Sequence, residues 1–234
     1  MNVLAFDTCL GAVSAAVRWH ADDGWQLREA YEPRSTGHAE RLMPMIAEVM
    51  AGGGGVAFSA IDRIAVTVGP GGFTSVRIGI AAARALALAT GKPVVGTTSL
   101  AVIAHRAEDM LGEPLGERQI MVAVDAGRGA YYVQTFAAGA VETGEPLLLT
   151  AQEAARSVGR RGAVVVVGTG AQAVAGLAKE AGGDAEARFP DLQPHAGNLA
   201  HLAPRLAPIT PVRPLYLRPP DARAQVAPLA RTPP

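Results

Sequence analysis

Cysteine is almost missing from this chain: Cys9 is the one copy in 234 residues. No internal disulfide and no cysteine cage for a metal can form, and such usage fits a reducing compartment. A charge excess is missing as well. The 21 basic and 21 acidic residues cancel, so no overall field draws the chain to nucleic acid or to an anionic membrane. No apolar run is read as reaching membrane-spanning length, and no basic leader precedes the first strand, so a cytoplasmic location is expected. The five histidines (His20, His38, His105, His195, His201) include no pair four residues apart that would set two metal ligands on one helical face. His38 reads as a surface or capping residue, and His195 and His201 as solvent-facing in a Pro-rich region. A G-x-S-x-G elbow is absent, and Gly91-Lys92-Pro93 follows a helix and leads into a strand, the reverse of a Walker loop. The expectation is no catalytic set, no metal site and no cofactor.

What is present is a patterned globular chain, 49% apolar and 18% charged, long enough for one large domain or two small ones. Residues 3–7, 11–19 and 27–31 read as three strands of an antiparallel meander. Thr36 is placed to cap a helix with Leu42, Ile46, Val49 and Met50 on one face, and Pro44 is expected to kink it. After a flexible loop at residues 52–55, the strand 63–68, the helix 74–90 and the strand 94–96 form a βαβ unit with parallel pairing. Asp7-Thr8-Cys9-Leu10-Gly11 is answered at Asp125-Ala126-Gly127-Arg128-Gly129, again between apolar strands. A repeat of strand, Asp-containing turn and strand predicts two similarly folded lobes, divided as 1–107 and 108–234 with a join near 108–118. Helices at 151–158 and 171–180 flank a strand at 163–167, and the Pro-rich stretch 189–234 ends in a frayed tail.

The most informative segment is Gly69-Pro70-Gly71-Gly72-Phe73-Thr74-Ser75. An apolar strand runs into a glycine turn that opens a helix of small residues. Glycine allows close approach of N–H groups to a partner, and a helix N-terminus favours anions. The turn therefore suits either a phosphate or a close-packed protein surface. Asp7 and Asp125 each end a strand: they either face a cleft to hold a metal or water, or cap their own turns. Gly168-Thr169-Gly170-Ala171-Gln172-Ala173, with Glu186 downstream, fits a loose dinucleotide pattern, but the first lobe lacks the matching Rossmann start. The alanine-rich helix suits a tight contact, within its lobe or with another protein. Met43, Met45 and Met50 form adaptable apolar surface.

Several segments together resemble the TsaB family, partner subunits in bacterial threonylcarbamoyladenosine tRNA modification. The resemblance covers nearly the whole chain and rests on Leu4-Ala5-Phe6-Asp7-Thr8, on the stretch from Gly37-His38-Ala39-Glu40 to Pro44-Met45-Ile46, on the stretch from Gly69 to Gly79, and on Pro214-Leu215-Tyr216-Leu217-Arg218-Pro219-Pro220-Asp221-Ala222. Family members commonly carry Ser at the position of Gly72 and Gly at that of Ser75. It implies an α/β, two-lobed actin-like, sugar-kinase-like and Hsp70-like ATPase (ribonuclease H-like) fold. The catalytic relative, TsaD, has two metal-binding histidines whose positions align here with Thr97 and Ala101, which cannot replace them. By resemblance the chain is a non-catalytic subunit that forms a heterodimer with a TsaD-type transferase, with a TsaE-type ATPase in a larger assembly, tRNA reached only through the complex, and homodimers when alone. The implied partner surface comprises His38, Leu42, Met45, Ile46, Val49, Phe73, Arg77, Ile78 and Ala82. The segment 213–223 is expected to pack back on the N-terminal lobe. A vestigial nucleotide cleft would hold Asp7, Thr8, Gly69, Gly71, Asp125, Gly168 and Gly170. The alternatives are an active transferase or peptidase of this fold, or a small-molecule kinase.

Overall fold

A computed structural model describes residues 1–52, 55–159 and 162–218. Three strands open the chain: β1 (Val3–Asp7), β2 (Ala12–Ala21) and β3 (Gly24–Pro33). They pair antiparallel as a meander, with Asp22 and Asp23 turning β2 into β3. The first helix, α1 (His38–Ala51), leads through β4 (Arg63–Thr67), α2 (Phe73–Thr90) and β5 (Val94–Thr97) to α3 (Ser99–Leu111). β4 lies parallel to both β1 and β5, giving the order β3-β2-β1-β4-β5.

The same plan then repeats. β6 (Gln119–Asp125), β7 (Ala130–Ala137), β8 (Val141–Glu142), β9 (Leu147–Thr150), α4 (Ala151–Val158), β10 (Val164–Val167), α5 (Ala171–Glu180), β11 (Ala185–Arg188) and α6 (Ala196–Leu202) follow. β6 pairs antiparallel with β7 and parallel with β10, as β1 does with β2 and β4, and β9 takes the place of β3 beside β7. The lobes are duplicated in topology as well as in their Asp-bearing turns.

Each sheet is covered on both faces. α1 and α2 bury Leu42, Met45, Ile46, Val49, Val76, Ile80 and Ala83 against one face of the first sheet. The other face meets α6 and Val102 of α3. α3 turns Leu100, Ile103, Ala104 and Ala107 to the second sheet, whose far face carries α4 and α5. α3 is thus a shared layer between the lobes.

Four expectations change here. The helix α1 is preceded by Gly37 in the left-handed region (φ 73°), not capped by Thr36, which is exposed. Pro44, expected to kink α1, lies inside a helix that runs unbroken from His38 to Ala51, and it stands on the exposed face, where water can satisfy the carbonyl that lacks a donor. A lobe boundary at 107/108 falls inside α3, which runs to Leu111 before Gly112 (φ 64°) ends it. Finally, α2, at 18 residues and mean hydropathy 1.3, is long and apolar enough to cross a membrane by length and composition. Its Val76, Gly79, Ile80 and Ala83 lie against the first sheet, and Arg77 and Arg84 bond Tyr216 and the Val212 carbonyl. Those contacts make it a covering layer of the fold.

Candidate functional site

The two Asp-bearing turns meet across a cleft of about 460 Å³, lined by Cys9, Gly11, His38, Ser75, Asp125 and Thr169 among others. Asp7 ends β1, and the parallel register of Phe6 with Val66 sets it beside Thr67. Its Oδ1 accepts from the Cys9 N–H at 3.2 Å and from the Thr67 hydroxyl at 2.5 Å. Oδ2 is buried with no hydrogen-bond partner. Full burial pushes the carboxyl up to about 6, against the weaker downward pull of the Thr67 and Cys9 bonds. The Cys9 thiol donates to Thr67 Oγ1 at 3.1 Å. Burial, reinforced by the charge of Asp7, holds that thiol well above its ordinary value, so it is a neutral packed group and not a nucleophile. Thr8 turns its hydroxyl to the Ser75 carbonyl at 2.6 Å, in space that exists because residue 79 is Gly.

The glycine turn is filled by protein. The Gly72 N–H donates to the Cys9 carbonyl at 2.9 Å. A Cβ on Gly71 would stand 2.1 Å from that oxygen, and one on Gly69 (φ 105°) would stand 2.8 Å from the Leu215 carbonyl. Ser99 closes the turn from a third side, donating its N–H to the Gly69 carbonyl and its hydroxyl to that of Pro70. These contacts do not fit a phosphate seated on the turn. In the second lobe the Gly168 and Gly170 N–H groups donate to the Phe189 and Ala123 carbonyls, and Gly170 lies against the Tyr131 ring. The loose dinucleotide pattern is a packing contact. Asp125 caps its own turn, accepting the Gly127 N–H at 2.7 Å, while its N–H donates to Thr169 Oγ1 at 2.8 Å.

Ala101 is buried under the second sheet, and the Thr97 carbonyl accepts the Val68 N–H. Among the described residues no group of three or more His, Cys, Asp or Glu could hold a metal ion.

His38 is not a surface or capping residue: it is buried, its Nε2 3.1 Å from the Leu10 carbonyl. His195 is half-buried, whereas His201 is exposed, as its sequence context predicted. His195 caps α6, stacks on Tyr31 at 5.1 Å and stands 3.3 Å from Glu29 Oε2. His201 stacks on His105, and both flank Asn198, which bridges His105 and Asp109. The His195 contact holds Glu29 below the usual carboxylate range. A Cβ at Gly197 would lie 1.9 Å from Glu29 Oε2, the end of a flexible, half-exposed side chain. Gly197→Ala is therefore expected to swing Glu29 outward at a cost under about 1 kcal/mol, read as a shift of a few degrees at most in thermal unfolding.

The implied partner surface divides in two. Leu42, Met45, Ile46 and Val49 are core residues, so α1 offers outward only its other face: Ala39, Glu40, Met43, Pro44, Ala47 and Glu48. Ile78 and Ala82 are half-buried against that core. Phe73 and Arg77 are exposed at the start of α2, and Leu88 is 90% exposed near its end. Sequence reasoning missed Thr67, which anchors Asp7, and Arg218, whose guanidinium donates to the Ala126 and Gly127 carbonyls. The parallel β1–β4 pairing was the available signal for Thr67. Arg218 stands in the 214–222 segment that carries the family resemblance, but nothing in that segment told which carbonyls it would bond.

Two duplicated mixed-sheet lobes around a cleft, each opened by an Asp-ended strand and a hairpin turn, define the actin-like ATPase class of fold. The family model for TsaD, tRNA N6-adenosine threonylcarbamoyltransferase, matches residues 32–196. The tRNA threonylcarbamoyladenosine biosynthesis protein TsaB of Escherichia coli is 32% identical over 187 residues, 78% of this chain and 77% of that one. Two solved Pseudomonas aeruginosa structures are similar over the whole fold. YeaZ has a TM-score of 0.73 at 27% identity, covering 92% of this chain and all of that one. A protein described as similar to peptidase YeaZ has a TM-score of 0.75 at 29% identity, covering 93% and 99%. The chain belongs to the TsaB (YeaZ) family.

Proposed function

We propose that this chain is a non-catalytic subunit in the making of threonylcarbamoyladenosine on tRNA, and that it works by binding a TsaD-type transferase through the outer face of α1 and α2. The observation that carries this reading is that face itself. Met43, Phe73 and Leu88 are exposed large apolar residues, with Ala81, Ala85 and Ala89 between them allowing a second helix to approach closely. The cleft supports the same reading, because the N–H groups of Gly72, Gly168 and Gly170 are bonded to protein carbonyls and the Cys9 thiol is bonded to Thr67. A TsaE-type ATPase would join the assembly, tRNA would be met through the complex, and the same apolar face would pair two copies when the transferase is missing.

Charged substitutions on the exposed face test it. Leu88→Glu and Met43→Glu are expected to weaken binding to the transferase subunit by about 30-fold or more, the size of an interface hot spot, and to leave the melting temperature near wild type. Titration calorimetry reads the first and circular dichroism the second. Ile46→Asp, by contrast, is expected to unfold the lobe, since it places an unpaired charge in the core. Unchanged affinity in both surface variants sinks the interface. Tight ATP-magnesium binding, or tRNA modification by the transferase at full rate without this chain, sinks the wider role.

A further inference from the structure

The last described stretch, residues 206–218, is held by both lobes in turn. Pro208 bridges to Val95, and the Ile209 N–H donates to the Val94 carbonyl at 2.9 Å, extending the edge of β5. Val212 is buried in the first lobe's core, and Arg84 donates to its carbonyl. The Leu215 N–H donates to the Val68 carbonyl at 2.7 Å, while its own carbonyl rests on Gly69. Tyr216 stacks on Phe73 with ring centres 5.2 Å apart and accepts from Arg77 Nε at 2.6 Å. The very next side chain crosses over: Leu217 packs against the second lobe's core. Arg218 then donates to the Ala126 carbonyl at 2.8 Å and the Gly127 carbonyl at 3.0 Å, on the turn that carries Asp125.

We propose that residues 206–218 form a strap that fixes the angle between the lobes and ties it to the N-terminal end of α2. The argument is one of length. One residue, Leu217, lies between the Tyr216 and Arg218 anchors, so their Cα atoms are at most about 7 Å apart. So short a link leaves only the two side chains to take up a hinge rotation: an opening larger than they can span breaks either the Arg218 bonds or the Tyr216–Arg77–Phe73 cluster. The glycine turn sits at the crossing point, with Leu215 on one side and Cys9 on the other. A protein that grips Tyr216 and Phe73 therefore favours the closed cleft, and by linkage a closed cleft favours that protein. This last consequence rests on the partner reading above; the strap itself does not.

Hydrogen exchange on the full chain tests the strap. Arg218→Ala is expected to raise exchange at least tenfold at residues 126–130 and also, across the cleft, at residues 9–11 and 69–77, with β1 and β6 unchanged. Arg218→Lys, which keeps the charge but loses the paired donors, is expected to fall between, and it serves if the alanine variant does not fold. A rise confined to 126–130, or no rise, overturns the strap. Arg218→Ala is also expected to weaken binding of the transferase subunit several-fold from outside the helical face. Failure of the wild-type chain to bind that subunit overturns the partner reading and leaves the exchange result standing.

Discussion

Gly71→Ala is expected to leave little or no native protein. The added Cβ would sit 2.1 Å from the Cys9 carbonyl oxygen and 2.8 Å from its carbon, and both are backbone atoms that no rotamer change can move. Relief requires separating the hairpin loop from the glycine turn, which breaks the Gly72 N–H bond to Cys9 and displaces the Asp7–Thr67–Cys9 chain. We expect a loss of more than about 4 kcal/mol, in the range reserved for substitutions with a severe local cause. For a chain of this size that is about 8–16 °C in melting temperature, or recovery only as aggregate. Gly91→Ala is the control. Gly91 also follows a glycine-bounded helix end, at φ 70°, but a Cβ there meets nothing within 4 Å, so its cost is the backbone penalty alone, about 1 kcal/mol. If both variants melt within about 2 °C of each other, the turn is not the tight backbone contact described here.

That contact also marks the limit of what could be read beforehand. Asp7 and Asp125 announced the duplicated lobes because each closes an apolar strand before a short turn, a local pattern that a chain displays in order. The glycine turn declared that something comes close but not what, because the approaching atoms belong to Cys9, Ser99 and Leu215, remote in sequence. Residues 100, 103, 104 and 107 carry a helical period, but Val102 on the opposite face blurs it. Val102 faces one sheet and Leu100, Ile103, Ala104 and Ala107 the other, so the helix is apolar nearly all round. The face Leu42, Ile46 and Val49 was visible as a stripe, yet a stripe does not say whether it meets a core or a partner. The first sheet, which buries it, is assembled from five strands elsewhere in the sequence. The frayed tail expected at the end of the Pro-rich stretch lies outside the described residues, while composition alone did not announce the backbone bonds of Ile209 to Val94 and Leu215 to Val68 before it. The resemblance placed the family from the order of motifs, and the packing had to come from the fold.

Asp7 supplies the second large effect, and its sign is unusual for a carboxylate. Burial raises its value from 3.8 to about 6. Between those limits the folded chain holds a proton that the unfolded chain has released, so stability falls as pH rises through the window and is flat above it. At about 1.4 kcal/mol per unit, the ionised carboxylate costs the native state about 3 kcal/mol at neutral pH. Asp7→Asn keeps an acceptor for the Cys9 N–H and the Thr67 hydroxyl but puts an amide donor where Oδ2 has no partner, which returns part of the gain. The variant is expected to be more stable than wild type at pH 7 by about 1–2 kcal/mol, or about 2–8 °C, and less advantaged at pH 4. Glu29, held low by His195, gives the opposite slope in both proteins, so the difference between their melting curves isolates Asp7. A variant less stable than wild type at pH 7, with no advantage gained as pH rises from 4 to 7, would mean that the Asp7 carboxylate is not penalised by its burial as described.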